Sequence, residues 1–150
     1  MKRSLLLTVF VLAAAVAGAS AQTVTGSIAS VARGGTARGS VVLSIPGGLH
    51  VNSNRPASEY AIPTTVRLSV NGARVSGVTY PRGKNRTFQF SSVPINVYEG
   101  RVVFPFTLTL PTNFKGSSVR VTATVRYQAC TDEVCYPPKS RTINMTAKVR

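Results

Sequence analysis

Apolar and polar residues alternate through most of the chain. Val119, Val121, Ala123, Val125 and Tyr127 alternate with Arg120, Thr122, Thr124, Arg126 and Gln128, the pattern of a strand with one buried and one wet face. Phe104, Phe106, Leu108 and Leu110 repeat it, as do Ile143, Met145, Ala147 and Val149. Val66, Leu68 and Val70 run into Asn71-Gly72, with Val75 beyond. Because Asn-Gly tolerates the positive φ angles of a two-residue turn, this spacing predicts a hairpin. Further strands are expected over Val24 to Val31, Ser40 to Ile45 and Thr87 to Ser91, with Gly47-Gly48, Pro81-Arg82-Gly83 and Pro111-Thr112-Asn113 as punctuation. Helical periodicity is hard to find.

The extreme N-terminus reads differently. Lys2 and Arg3 precede an apolar run from Leu5 to Ala17, and Ala19-Ser20-Ala21 supplies small residues at a cleavage position. A run of about thirteen residues falls short of the roughly twenty that span a bilayer, so it predicts a secretory signal peptide over residues 1–21, cleaved after Ala21. Removing 21 of the 150 residues leaves 129 in one domain, residues 22–150. About seven to nine strands and no helix in a chain of that size predict an all-β fold, an immunoglobulin-like antiparallel β-sandwich. The antibody pattern of Cys, Trp and Cys is absent, since there is no Trp and the two cysteines are near neighbours.

Charge adds little to the fold and something to location. The formal net charge is +14, or +12 once Lys2 and Arg3 are removed, and the bases are dispersed. A general weak attraction to anionic envelope surfaces follows from such a balance. Nucleic acid is excluded as a partner by the export signal and by the lack of any helix-turn-helix pattern or aromatic stacking motif among the bases. The expected location is periplasmic or secreted, an oxidising compartment in which a disulfide persists.

Candidate chemistry is concentrated in Tyr127 to Pro138, YQACTDEVCYPP, which holds both cysteines and two of the four acids. A bond between Cys130 and Cys135 closes a loop of only about six residues, worth roughly 2 kcal/mol as a staple. The residues alone leave three uses open: redox exchange, a structural disulfide, or metal binding, the last poorly provided for. Asp132 and Glu133 lie between the sulfurs, where negative charge disfavours a thiolate. Tyr127 and Tyr136 flank the pair as candidate shields, and Pro137 and Pro138 stiffen the exit.

Around that motif the chain resembles a known family. GLHVNSNRP (Gly48 to Pro56), IPTTVRLSV (Ile62 to Val70), VTYPRG (Val78 to Gly83), VYEGRVVFPFTL (Val97 to Leu108) and above all YQACTDEVCYPP are similar to the N-terminal periplasmic domain of the thiol:disulfide interchange protein DsbD. The resemblance implies an immunoglobulin-like sandwich that takes electrons from a thioredoxin-like module. It passes them to thioredoxin-fold periplasmic proteins of the disulfide isomerase or cytochrome c maturation type. By position, Cys135 is implied to form the mixed disulfide with partners and Cys130 to resolve it. A loop with an aromatic residue caps the pair in the family, which implies Phe88 or Phe90 here, and His50 falls in the segment near the family's site floor. The family's cap segment carries acids that Arg86 to Ser92 lacks, and its best-known members have one more residue between the cysteines. Because the sequence stops at Arg150, a separate membrane electron donor is expected.

Other sites fare poorly. His50 is the single histidine, too few for a blue-copper or structural zinc centre, so neither a metal nor any other cofactor is expected. No Gly-x-Ser-x-Gly motif and no phosphate-binding glycine loop are present. Tyr98 reads as a packing residue and Glu99 as a solvated acid. The rival to redox exchange is a binding or scaffold module whose disulfide only shapes a loop and whose basic face holds an anionic envelope partner.

Overall fold

A computed structural model describes residues 21–150; the predicted signal peptide lies almost wholly outside them. Eleven strands follow one another: β1 (Thr23–Ile28), β2 (Thr36–Ser44), β3 (His50–Asn52), β4 (Thr65–Val70), β5 (Arg74–Val75), β6 (Lys84–Arg86), β7 (Ile95–Tyr98), β8 (Arg101–Thr109), β9 (Ser118–Tyr127), β10 (Ala129–Cys130) and β11 (Lys139–Lys148). No helix occurs among the described residues. The excess over the expected number comes from short strands, whose two to four residues are too few for alternation to register.

Two layers form the body, one with strand order β1-β2-β8-β5 and one with order β11-β9-β4, every ladder antiparallel. Their facing sides supply one core, with Val41, Leu43, Phe104 and Leu108 from the first layer and Val121, Val125, Tyr127 and Ala147 from the second. Along β8 and β9 the burial alternates residue by residue as the sequence pattern requires. The layers approach closely at Gly26, where a Cβ would collide with the Met145 and Ile143 side chains. Across the edge, Val31 forms a parallel bridge with Val149.

A third sheet, order β10-β3-β7-β6, closes one end. It grows out of both layers. The β2–β8 ladder is interrupted after Ser44 and Arg101, bridged by the Ile45 amide donating to the Gly100 carbonyl at 2.8 Å, and resumes as β3 paired with β7. From the other layer β9 passes through Gln128 into β10, which pairs with β3. A second small cluster of Phe88, Ile95 and Val97 fills this end.

Two expectations are corrected. Asn71-Gly72 is a turn, with Gly72 at φ 70°, but it does not close a hairpin: β4 pairs with β9 while β5 pairs with β8. The turn is an arch between layers, because alternation fixes which face of a strand is buried and says nothing of its partner. Thr87 to Ser91 is no strand either. The ladder is Lys84–Arg86, and beyond it Phe88 is drawn into the end cluster while the Ser91 amide turns back to the Phe88 carbonyl at 3.1 Å.

Candidate functional site: the disulfide hairpin and the ring stack behind it

The chain reverses tightly after β10. The Thr131 amide donates to the Val134 carbonyl and the Tyr136 amide to the Ala129 carbonyl, both at 2.8 Å. Thr131 Oγ1 accepts from the amides of Glu133 (3.2 Å) and Val134 (3.0 Å), so its hydroxyl stands in for the turn's missing backbone partner. Cys130 and Cys135 face each other between those two backbone bonds, the register at which antiparallel strands approach most closely. Their Cα atoms are 4.0 Å apart and the sulfurs are joined at 1.99 Å. The two cysteines differ in access: Cys130 is 0% exposed, whereas Cys135 is an exposed residue of the hairpin.

Gln128 seats the hairpin on the sheet. Its Nε2 donates to the Tyr136 carbonyl at 3.2 Å, and its Oε1 accepts from Asn52 Nδ2 at 3.1 Å and the Ile62 amide at 3.4 Å. Asn52 is 2% exposed, and its carbonyl accepts from Thr64 Oγ1 at 2.6 Å. Buried polar groups that satisfy one another in this way fix a single arrangement, since each costs free energy if left alone.

On the inner side, Cys130 is the cross-strand partner of His50. Cross-strand partners share a face of the sheet, which sets the imidazole beside the buried cysteine. The imidazole is stacked on Phe88 (centroids 4.4 Å apart, planes 16° apart), and Phe88 on Phe90 (5.1 Å, 7°). Phe88 is 4% exposed and Phe90 44%, so the stack runs from the interior to the surface. Burial pushes the His50 pKa below its ordinary value, and Arg86 pushes it the same way, while the charges of Asp132 and Glu99 oppose.

Arg86, at the end of β6, ties these parts together. One guanidinium nitrogen bonds Glu99, the other lies 3.4 Å from Asp132 in the hairpin loop, and the guanidinium carbon stands 5.5 Å from the centre of the Phe88 ring. Lys84 also reaches Glu99, at 3.7 Å. Beside this network a cavity of about 340 Å³ is lined by His50, Arg86, Glu99 and Asp132 with the loop from Pro46 to Leu49. On the far side of the hairpin a second cavity, about 220 Å³, is lined by Leu49, Ala129, Tyr136 and Pro137.

The expected site residues therefore gather at one end, with one correction. Tyr127 belongs to the sandwich core at 1% exposure and shields no surface; its hydroxyl is the buried side-chain oxygen among the described residues that lacks a hydrogen-bond partner. Tyr136, 45% exposed, flanks the sulfurs from outside. Glu133 is exposed in the loop without an ion pair among the described residues, whereas Asp132 has Arg86. Glu99 is engaged by two cations, not merely solvated, and Tyr98 packs edge-on against Phe104 as expected. Gln128, Asn52 and Arg86 escaped the sequence reading. Gln128 stands inside the cysteine motif and had a signal in that position; Arg86 is forty-four residues from Cys130 and had none.

Fold and site together define an immunoglobulin-like domain that carries a disulfide on a rim hairpin, one of its cysteines buried and the other exposed. Residues 21–147 match the family model described as thiol:disulfide interchange protein DsbD, N-terminal. The chain belongs to that family. It is 26% identical over 87 residues to the thiol:disulfide interchange protein DsbD of Actinobacillus pleuropneumoniae, a match that covers 57% of this chain and 14% of that relative. Among solved structures, the N-terminal periplasmic domain of ScsB from Proteus mirabilis is similar, with a TM-score of 0.57, 13% identity, and 87% of this chain covered against 48% of that one. The N-terminal domain of Neisseria meningitidis DsbD in the reduced form gives a TM-score of 0.50 at 16% identity, covering 83% and 85%. At such identities the structural likeness carries the fold.

Proposed function

We propose that this chain is a periplasmic thiol:disulfide exchange module, exported on a signal peptide cleaved after Ala21, that passes reducing equivalents through Cys130 and Cys135. In the reduced form the Cys135 thiolate attacks a partner's disulfide, and one sulfur of that disulfide leaves as a thiolate. The Cys130 thiolate then attacks the Cys135 sulfur, breaks the mixed disulfide, and releases the partner's second thiol. Two electrons move to the partner and the Cys130–Cys135 bond is remade. The partners are thioredoxin-fold proteins of the disulfide isomerase or cytochrome c maturation type, and a membrane-embedded electron donor re-reduces the pair.

One observation carries the reading: a buried cysteine and an exposed cysteine sit on one hairpin, which supports attack through Cys135 and resolution by Cys130. His50, Phe88 and Phe90 form the wall behind the pair, and Tyr136 is the aromatic residue beside the exposed cysteine, so docking involves the face from Phe90 to Tyr136. No cofactor or metal takes part in these steps. The test is trapping. Cys130→Ser leaves a mixed disulfide unresolved, so covalent complexes with thioredoxin-fold proteins accumulate in periplasmic extract, while Cys135→Ser gives none. Equal trapping by both variants, or by neither, refutes the assigned roles.

A further inference from the structure

The outer face of the β11-β9-β4 sheet has an unusual make-up. Alternation puts Arg120 and Arg126 of β9, Arg67 of β4 and Lys148 of β11 outside, all exposed, while Val66, Val121, Val125 and Ala147 turn to the core. In register, Arg67 lies opposite Thr124, Arg120 opposite Thr146, Arg126 between Thr65 and Ser140, and Lys148 opposite Ser118. Every other outward position of these three strands is Ser, Thr or Asn. Two of the cross-strand pairs bond to each other, Thr122 to Asn144 at 2.8 Å and Thr124 to Thr142 at 3.0 Å, so the neutral positions form continuous polar ladders.

No acid lies on this face. All four acids of the chain belong instead to the disulfide end. Glu99 and Asp132 are bound to Arg86, Glu133 is in the hairpin loop, and Glu59 is in the segment whose Ala61 packs on the Phe88 cluster. Charge is thus uneven: the disulfide end is mixed, the outer faces of both layers carry bases and no acid, and the β11-β9-β4 face holds the larger set, Arg67, Arg120, Arg126 and Lys148 against Arg38, Arg74 and Arg101. A planar negative surface attracts such a body most strongly by its purely cationic side, because the bases at the disulfide end are offset by the acids beside them.

We propose that the outer face of β11-β9-β4 docks reversibly on an anionic phospholipid bilayer and leaves the disulfide end free. The layout of the bases favours a planar partner. They are spread over all three strands, and Arg120 and Arg126 are separated by roughly 20 Å along β9, whereas a linear polyanion is followed by a groove or a single stripe. The face carries no apolar side chain to insert, so attachment is electrostatic and salt-sensitive. Because β9 leads directly through Gln128 to Cys130, the hairpin projects past the end of the docked face. This inference is independent of the thiol reading.

The experiment is co-sedimentation of the mature chain with vesicles of phosphatidylcholine alone or mixed with phosphatidylglycerol. Binding is expected to the mixed vesicles at about 0.02 M salt and not at about 0.5 M, and not to phosphatidylcholine alone. The triple variant Arg67→Gln/Arg120→Gln/Arg126→Gln loses on the order of a hundredfold in affinity, at roughly fivefold per base. The control triple Arg38→Gln/Arg74→Gln/Arg101→Gln makes the same change in net charge on the other layer and loses far less. Circular dichroism confirms that both variants fold. Equal losses in the two triples, tighter binding to soluble polyphosphate than to vesicles, or no binding to the mixed vesicles overturns the proposal. Replacing both cysteines by Ser leaves vesicle binding unchanged, which separates this outcome from failure of the exchange reading.

Discussion

Asp132 and Arg86 are opposed at the disulfide. Asp132 stands in the four-residue stretch between the cysteines, where its negative charge disfavours a Cys135 thiolate, and the Arg86 guanidinium 3.4 Å away offsets it. Asp132 is 72% exposed, so solvent screens the pair and its contribution to folding stability is under about 1 kcal/mol. Its effect belongs to reactivity. In the reduced protein, Asp132→Asn is expected to speed alkylation of Cys135 by iodoacetamide at neutral pH by roughly twofold, and Arg86→Gln to slow it by a similar factor. Profiles of alkylation rate against pH measure both shifts, and salt narrows the gap between them. Superimposable profiles for all three proteins remove Arg86 from the chemistry.

At the scale of elements, the hairpin is carried by the sheet and does little to hold it together. Its backbone bonds, the Thr131 turn and the Gln128 node do not involve the sulfurs. A loop of about six residues gives a disulfide only roughly 2 kcal/mol of chain-entropy advantage. Cys130→Ser/Cys135→Ser is therefore expected to stay folded, with a urea midpoint lowered by an amount equivalent to about 2 kcal/mol; loss of the folded state marks the bond as a structural staple. The same scale shows what the sequence reveals. β8, β9 and β11 are legible because nine or ten residues of alternation bury one face each. β3 is not, since all three of its residues are buried and alternation vanishes. The arch at Asn71-Gly72 was misleading for a related reason: the turn residue adopts the expected φ, yet pairing is decided by distant strands. Both cysteines, Asp132 and Tyr136 are readable as a site because they are contiguous. The wall behind them is assembled from β3, the segment after β6 and the residue after β7, and only the fold brings those together.

The end sheet and the two-layer body meet at His50, and the pH dependence of the whole fold follows from that position. The imidazole is 2% exposed, opposite Cys130 and stacked on Phe88, with Asp132, Arg86 and Glu99 as the charged groups that act on it. Burial is the largest influence and lowers its pKa from the ordinary 6.5, helped by Arg86 and opposed by the two carboxylates. An unfolded chain accepts a proton at His50 before the folded one does, so acidification favours unfolding. The stability is fully present above 6.5 and is lost as pH falls through that value toward the lowered one. Carboxylates titrate mostly below this window, near pH 4, which leaves the single histidine as the group read there. Urea unfolding from pH 7 to pH 5 should show stability falling by at most about 1.4 kcal/mol per pH unit, the slope of one proton. His50→Phe preserves the stack on Phe88 and has no proton to take up, so its stability should be flat over that range. If the variant falls as steeply as the parent, the acid sensitivity arises elsewhere and His50 is not the group that couples the site to the fold.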